Sequence, residues 1–418
     1  MESVTKKLIL IGGGSRGRAY TDKALGMGSC FKVVAIAEPI RERREFLAKL
    51  HSVPKEMTFE SWEPLLALGK IADAAIIATM DRDHFAPAMQ AVRLGYDLLL
   101  EKPIAPTPEE CDALLAETKK YGSKVIICHV LRYTPFFRAL KRVIDSGKIG
   151  KVMNIQHIEA VGHIHQSHSF VRGNWGNSDR ATPMILQKSC HDMDILQWLI
   201  GKKCKSVHSF GSLSYFREEN APEGAPEFCI QGCPEADTCP YNAVKLYYDD
   251  KNNNWFRGAA AKMHEPTDEA VLEAIKTTNY GRCVYRCDNN VVDHQVVELL
   301  FEGDVCVSFT MSAFTRGGRE LRIMGTDGEL FARTGSDKIM LNNFRTGTPE
   351  EIKITDMLTG DTVVDGHGGG DSGIMYAFYD MLCGKENPDL SNIDISVENH
   401  KIAFAAEKSR LSGETVKL

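Results

Sequence analysis

The sequence predicts two folded units in succession: an α/β unit on a doubly wound parallel sheet, then an α+β unit on a large open, mostly antiparallel sheet. Three observations predict it. Short apolar runs alternate with stretches of helical spacing over the first 128 residues. A glycine-rich turn follows the first of those runs directly, and beyond residue 150 the pattern changes to period-two alternation. A length of 418 residues also exceeds what one core serves, since domains average about 150 residues.

The apolar runs of the first unit are Leu8–Ile11, Val33–Ala37, Ala74–Thr79, Asp97–Leu100 and Lys124–Ile127. Rich in Val, Ile and Leu and lacking polar alternation, they suit parallel strands covered on both faces. Helical spacing falls between them at Arg41–Leu50, Ala86–Leu94 and Pro108–Tyr121. The last opens with Thr107 as N-cap, Pro108 in the first turn and two glutamates. This unit is expected to span residues 1–128, and a basic amphipathic helix at Pro135–Ser146 connects it, across residues 129–149, to the second.

In the second unit, expected over residues 150–418, alternation marks strands at Met153–Ala160, Val207–Leu213, Val292–Phe301, Val305–Ala313 and Glu320–Gly325. Two helices close the chain near Ser372–Cys383 and Ser396–Leu411. Residues 214–278 are polar, cysteine-bearing and poorly periodic, and are expected to be a surface insertion.

Composition narrows the partners. Hydrophobic residues at 43% and charged residues at 25% belong to an ordinary globular chain. With 50 basic against 56 acidic side chains the net charge is −6, so no basic field invites nucleic acid or anionic lipid. No apolar run is long enough to span a membrane, and the first apolar run is too short for an export signal. The expected location is the cytoplasm, with the twelve cysteines reduced. Small molecules are the expected partners.

Gly12-Gly13-Gly14-Ser15-Arg16-Gly17 is a GxGxxG turn placed between a strand and a helix. Gly12 permits the tight turn, Gly14 lets the backbone approach a pyrophosphate, and Gly17 allows close helix packing, while the freed amides of the helix start, from Ser15 and Arg16 on, hold phosphate. Glu38 closes the second strand about twenty residues further on, where an acid accepts from both ribose hydroxyls and repels a ribose phosphate. The first unit is therefore read as a Rossmann domain that binds NAD.

A strand ending in Thr79, His84 five residues on, and Glu101-Lys102-Pro103 about twenty residues later complete a set that resembles the Gfo/Idh/MocA oxidoreductases over nearly the whole chain. The resemblance implies that Lys102 lies beside nicotinamide and substrate, with Thr79, His84 and Glu101 around the cofactor and Arg132 near the nicotinamide. Tyr133 is placed on the substrate side. An amine beside a positively charged ring suits proton exchange with a sugar hydroxyl. The family usually shows Asp-x-Gly-x-His-x-x-Asp where this chain has Gln187-Lys188-Ser189-Cys190-His191-Asp192-Met193-Asp194. His191 and Asp194 remain, but glutamine at 187 can position a hydroxyl and cannot take its proton. Proton transfer is thus expected of Lys102 and His191, with Lys188 as a further candidate, and substrate contacts of Gln187 and Asp194. The resemblance also implies a homodimer or homotetramer joined through the exposed sheet face.

His163 and His165 are expected on one face of a strand, with His168 close behind. For want of a carboxylate at matching spacing, lining of a sugar pocket is favoured over a metal pair, with a solvated strand face as the plainer alternative. His367-Gly368-Gly369-Gly370-Asp371 reads as a substrate loop or as a turn with Asp371 capping the next helix. The insertion carries Cys229, Cys233 and Cys239, followed by Cys283 and Cys287. These thiols suggest a structural zinc on Cys229, Cys233, Cys239 and one of the later pair, Cys287, against the plainer reading of small buried thiols or the rarer one of an iron–sulfur cluster.

The function expected is hydride transfer between NAD and a ring carbinol of a sugar, glycoside or polyol. A second expectation is a redox-neutral glycosidase that oxidises sugar carbon 3 transiently and eliminates the aglycone. A third is a non-catalytic dinucleotide-binding regulator, which would tolerate loss of Lys102.

Overall fold

Parallel strands build the first sheet of the computed structural model, which describes residues 4–358 and 366–418. The strands are β1 (Lys6–Ile11), β2 (Phe31–Ala37), β3 (Thr58–Phe59), β4 (Ala74–Ile77), β5 (Asp97–Leu100) and β6 (Val125–Ile127), in the spatial order β3-β2-β1-β4-β5-β6. Leu8 to Ile11, Ala74 to Ile77 and Leu98 to Leu100 are all but fully buried, as strands covered by helices on both faces must be. The helix Pro108–Tyr121 starts as its sequence dictates, with Thr107 Oγ1 accepting from the Glu110 amide at 3.2 Å, and stops at Gly122 with φ +69°.

The second sheet consists of β7 (Val152–Ala160), β8 (Cys204–Ser212), β9 (His294–Phe301), β10 (Val305–Ser312), β11 (Gly318–Gly325), β12 (Gly328–Arg333), β13 (Lys338–Asn343), β14 (Pro349–Lys353) and β15 (Val416–Lys417). Their order is β14-β13-β12-β11-β7-β10-β9-β8-β15, and β7 with β10 is its parallel pair among antiparallel neighbours. Ile155, Val297, Val307, Phe309 and Ile323 turn to a core shared with the helices Pro135–Asp145 and Cys190–Ile200. The opposite face exposes Phe210, Val296, Ile158 and Phe331.

Two expectations are corrected here. His163 and His165 do not lie on a strand: residues His163–His165 form a helical turn that widens into a π-helix over Gln166–Arg172. The insertion is also better packed than its polarity suggested. Between β8 and β9 it contains the helices Asn254–Ala261 and Asp268–Thr277 and two small apolar clusters, one around Phe216, Tyr241 and Tyr285 and one around Tyr247, Phe256 and Ile275.

The terminal helices return to the first domain. Ile374, Met375 and Phe378 of the helix Gly370–Leu382 join the core beneath Leu8, Leu10 and Ile36. Ile393 and Val397 of the helix Ile393–Ser412 pack with Ile127 and Leu100, whereas Ile402, Ala403 and Ala406 of the same helix enter the second core. Asp371 lies inside the first of these helices instead of capping it, and its carboxylate pairs with Arg16 at 2.7 Å. The side chain of His367 lies outside the described residues. Among the described residues no helix is long and apolar enough to cross a membrane.

Candidate functional site

Five loops meet at the carboxyl edge of the first sheet, where an open α/β fold binds ligands at the point of reversed strand order. They carry Gly12–Gly14 after β1, Glu38 after β2, Thr79 after β4, Glu101 and Lys102 after β5, and His129 after β6. At the glycine turn, Gly12 has φ +91°, and a Cβ there would stand 2.5 Å from the Ala78 backbone. A Cβ on Gly17 would stand 2.0 Å from the Gly12 carbonyl oxygen, so the helix Ser15–Gly26 can sit this close only with glycine. A Cβ on Gly14 would meet nothing nearer than an Arg43 nitrogen at 3.8 Å. The turn therefore presents bare backbone to an open space at a helix N-terminus, which fits a pyrophosphate.

Glu38 is buried and accepts from the amides of Gly13 at 2.6 Å and Ile40 at 2.9 Å, which fixes its carboxylate beside that turn. Thr79 Oγ1 and Gln187 Oε1 are buried without a protein partner, as are both ring nitrogens of His129 and the Nε of Arg43. Buried polar atoms are nearly always satisfied, so these unmatched ones are free to meet a polar ligand.

At the far end of the cleft Lys102 Nζ donates to the backbone carbonyl of Gln187 at 2.7 Å. The Lys102–Pro103 peptide is cis. His129 is fully buried, with its ring centroid 5.6 Å from that of His191 and 5.4 Å from that of His400. Burial, helped by the charges of Arg132 and Lys102, holds His129 far below the usual histidine range. Its place after β6, at the carboxyl end of a parallel strand, was the signal that could have marked it in the sequence.

Behind this group runs a buried charge network. Arg319 pairs with Glu159 at 2.6 Å and Asp192 at 2.7 Å, His157 Nε2 lies 2.8 Å from Asp192, and Lys188 Nζ is 3.4 Å from Glu159. Burial lowers the Lys188 pKa against the pull of Glu159. His165 is pushed down to about 2 by burial and by the charges of Lys188 and its neighbours. Lys102, Lys188, His165 and His191 are thus brought to one region, with amines and imidazoles available for proton exchange.

Other expected residues are occupied elsewhere. Arg132, expected at the nicotinamide, and Asp194, expected on substrate, form a fully buried bidentate pair at 2.6 and 2.7 Å, with Asn399 also donating to Asp194 at 2.8 Å. Tyr133 is buried and its hydroxyl bonds to Ser391. His84 bridges the carbonyls of Pro103 and Thr79 at 2.6 and 3.2 Å, tying two loops of the cleft together. Arg16 reaches Glu101 at 2.9 Å as well as Asp371, and Glu101 also takes the hydroxyl of Tyr20. Ser15 is exposed at the helix start, and the ring of His163 stands edge-on to Tyr241.

The expected zinc is corrected. Cys229, Cys233, Cys239 and Cys283 border one small cavity, but Cys287 directs its thiol to the Cys283 carbonyl. Among the described residues no three His, Cys, Asp or Glu side chains are grouped to hold a metal ion. Burial raises the thiol pKa of Cys239 and Cys283 and pushes Cys287 up to about 12. The guanidinium of Arg172 also stands 3.5 Å from Cys229 Sγ, where a cation would need to approach.

The Gfo/Idh/MocA oxidoreductase family model for the NAD-binding Rossmann fold matches residues 6–129, and the model for its C-terminal α/β domain matches residues 141–418. YteT of Bacillus subtilis (strain 168), which carries the name of an oxidoreductase, is 26% identical over 288 residues, covering 68% of this chain and 64% of YteT. The inositol 2-dehydrogenase of Burkholderia multivorans is 27% identical over 200 residues, 48% of this chain and 56% of that enzyme. The chain thus spans less than two thirds of the length of these curated relatives. Among solved structures, an Agrobacterium radiobacter oxidoreductase in complex with NAD+, L-tartaric acid and magnesium superposes with a TM-score of 0.68 over 99% of this chain and 98% of its own, at 14% identity, a likeness of fold.

Proposed function

Because the chain belongs to the Gfo/Idh/MocA oxidoreductase family, we propose that it is an NAD-dependent oxidoreductase acting at a ring carbinol of a sugar, glycoside or polyol. The observation that carries this reading is the Lys102 amino group held by the Gln187 carbonyl at the end of the dinucleotide cleft, with the His129 and His191 rings packed together there. When bound, the nicotinamide supplies a hydride acceptor. Lys102, as the uncharged amine, takes the hydroxyl proton and becomes the ammonium, and His191 passes the proton onward. Gln187 orients the hydroxyl through its unpartnered Oε1, and Glu38 favours NAD over NADP by facing the 2′-phosphate with a like charge. Thr79 offers its buried hydroxyl to the cofactor.

A second reading is the redox-neutral glycosidase. It is favoured by Lys188, an amine made less basic by burial, next to His165. Elimination needs a base for the carbon beside a transient ketone and an acid for the leaving oxygen, and a second amine and imidazole supply both. A regulator without catalysis has no use for this group.

The open face of the second sheet supports self-association, as homodimer or homotetramer. Phe210, Val296 and Ile158 lie in one row across β8, β9 and β7, joined by the register through Thr310.

A panel of aryl glycosides, free sugars and inositols, incubated with NAD and followed for both nicotinamide absorbance and aglycone release, tests these readings. NADH formed in step with substrate supports the dehydrogenase. Aglycone release with no net NADH supports the glycosidase. Neither signal with any compound, from protein that binds NAD, would overturn both.

A further inference from the structure

The insertion reaches back over the first domain at the adenosine end of the cleft. His264 Nε2 lies 2.9 Å from the carbonyl oxygen of Gly13, inside the glycine turn itself. Burial and the charge of Arg18 push His264 down to about 4, so the neutral ring carries one proton, and a carbonyl partner places it on Nε2 as donor. In return Arg18 Nη1 donates to the His264 carbonyl at 3.1 Å. The His264 ring also packs 5.1 Å from Phe46, whose other contact is the Arg18 guanidinium at 4.7 Å. Arg43 sits over Gly14 and near Glu38, with its Nε buried and unmatched.

These contacts join three parts of the dinucleotide site, the glycine turn, the helix Ser15–Gly26 and the helix Arg41–Leu50, to a single segment of the insertion. We propose that residues 254–281 roof the adenosine half of the cleft, with His264 as the closing residue, so that a bound dinucleotide is enclosed and leaves slowly. A ligand seated against Gly14 and Glu38 has the insertion above it, and its departure requires the His264 to Gly13 hydrogen bond and the His264 to Phe46 ring contact to open. The inference rests on the dinucleotide reading and deepens it.

The test uses NADH and the whole chain, without a sugar. Release of NADH is followed by stopped-flow fluorescence for the native protein, His264→Ala and Phe46→Ala. Loss of one hydrogen bond or aromatic contact changes an equilibrium by on the order of ten-fold, and release is expected to quicken by about that factor in each variant. Hydrogen exchange of residues 254–281 in the native protein is measured alongside, so that a poorly folding variant does not decide the matter, and NADH is expected to slow it. Unchanged release rates in folded variants, or exchange in 254–281 indifferent to NADH, would overturn the roof while leaving NADH binding itself intact. Failure of the native protein to bind NADH would overturn the dinucleotide reading and the roof with it.

Discussion

The amino group of Lys102 and the main-chain carbonyl of Gln187, 85 positions apart in sequence, meet at 2.7 Å. The lysine comes from the loop after β5 of the first domain. The carbonyl comes from the end of the short helix Met184–Gln187 in the second, directly before the helix that carries His191. Each domain therefore contributes one half of the proposed proton path. Lys102→Ala and His191→Ala are each expected to lower kcat by roughly 10²–10⁴-fold, the range of a positioned acid–base group, with NADH affinity nearly unchanged. Steady-state kinetics beside a fluorescence titration separate the two quantities, and wild-type turnover by both variants would remove these residues from the reaction.

Cofactor choice follows from Glu38. NAD is expected to bind more tightly than NADP in calorimetric titration, and Glu38→Gln is expected to narrow the difference, because the variant faces the 2′-phosphate without charge. The variant also weakens acceptance from the Gly13 amide, so NAD affinity should fall as well. Tighter binding of NADP by the native protein would contradict the assignment.

The Arg132–Asp194 pair makes a prediction about stability instead of chemistry. Both side chains are all but fully buried, so Asp194→Ala leaves a guanidinium uncompensated in the interior. The expected loss is about 3–5 kcal/mol, the usual penalty for breaking a buried pair. Urea denaturation measures it, and a loss below about 1 kcal/mol would show that the pair is not desolvated as described.

Acid sensitivity is set by buried imidazoles. Burial holds His168 and His400 down to about 3 from the ordinary 6.5, and His129 well below it. Above pH 6.5 these rings are neutral in both states and stability does not depend on them. As pH falls from 6.5 towards 3 the unfolded chain binds protons that the native chain refuses, so stability is lost throughout that window at up to about 1.4 kcal/mol per pH unit for each ring. Urea melts at about pH 7.5 and about pH 5.5 should show a clear drop, and His168→Gln should make the drop smaller. Equal stability at both pH values would mean that these rings titrate freely.

Most of the first domain was legible because five of its six strands fall on continuous apolar runs and the turns carry their own chemistry, as at Gly12, Thr107 and Gly122, whereas β3 is the two residues Thr58 and Phe59 and carries no run. The strands β12, β13 and β14 were not, since Gly328–Arg333, Lys338–Asn343 and Pro349–Lys353 are short and polar at a sheet edge. Reading His163 and His165 as strand failed because one pair of histidines two apart is too short to establish a period, and the π-helix that follows is fixed by tertiary contacts such as His168 against Phe256 at 3.9 Å. Within the site, motif spacing located Lys102, Gln187 and His191. It could not reveal that Asp194 is matched to Arg132, or that Arg319 closes a network through Glu159 and Asp192, because those partners lie on elements far away in the chain.

The return of the two terminal helices to the first sheet has a consequence for how the molecule is made. The amide of Ile127 on β6 donates to Ser391, and Ile374, Phe378, Ile393 and Val397 fill both sides of a sheet whose own strands end by residue 127. Domains generally fold in the order in which they leave the ribosome. Here the leading domain emerges with its interior unfinished and waits for residues about 250 positions behind it. Until synthesis reaches them, its apolar edges are exposed in the nascent chain, so a ribosome-stalled fragment ending before residue 370 should be a client for chaperones rather than a folded dinucleotide-binding module.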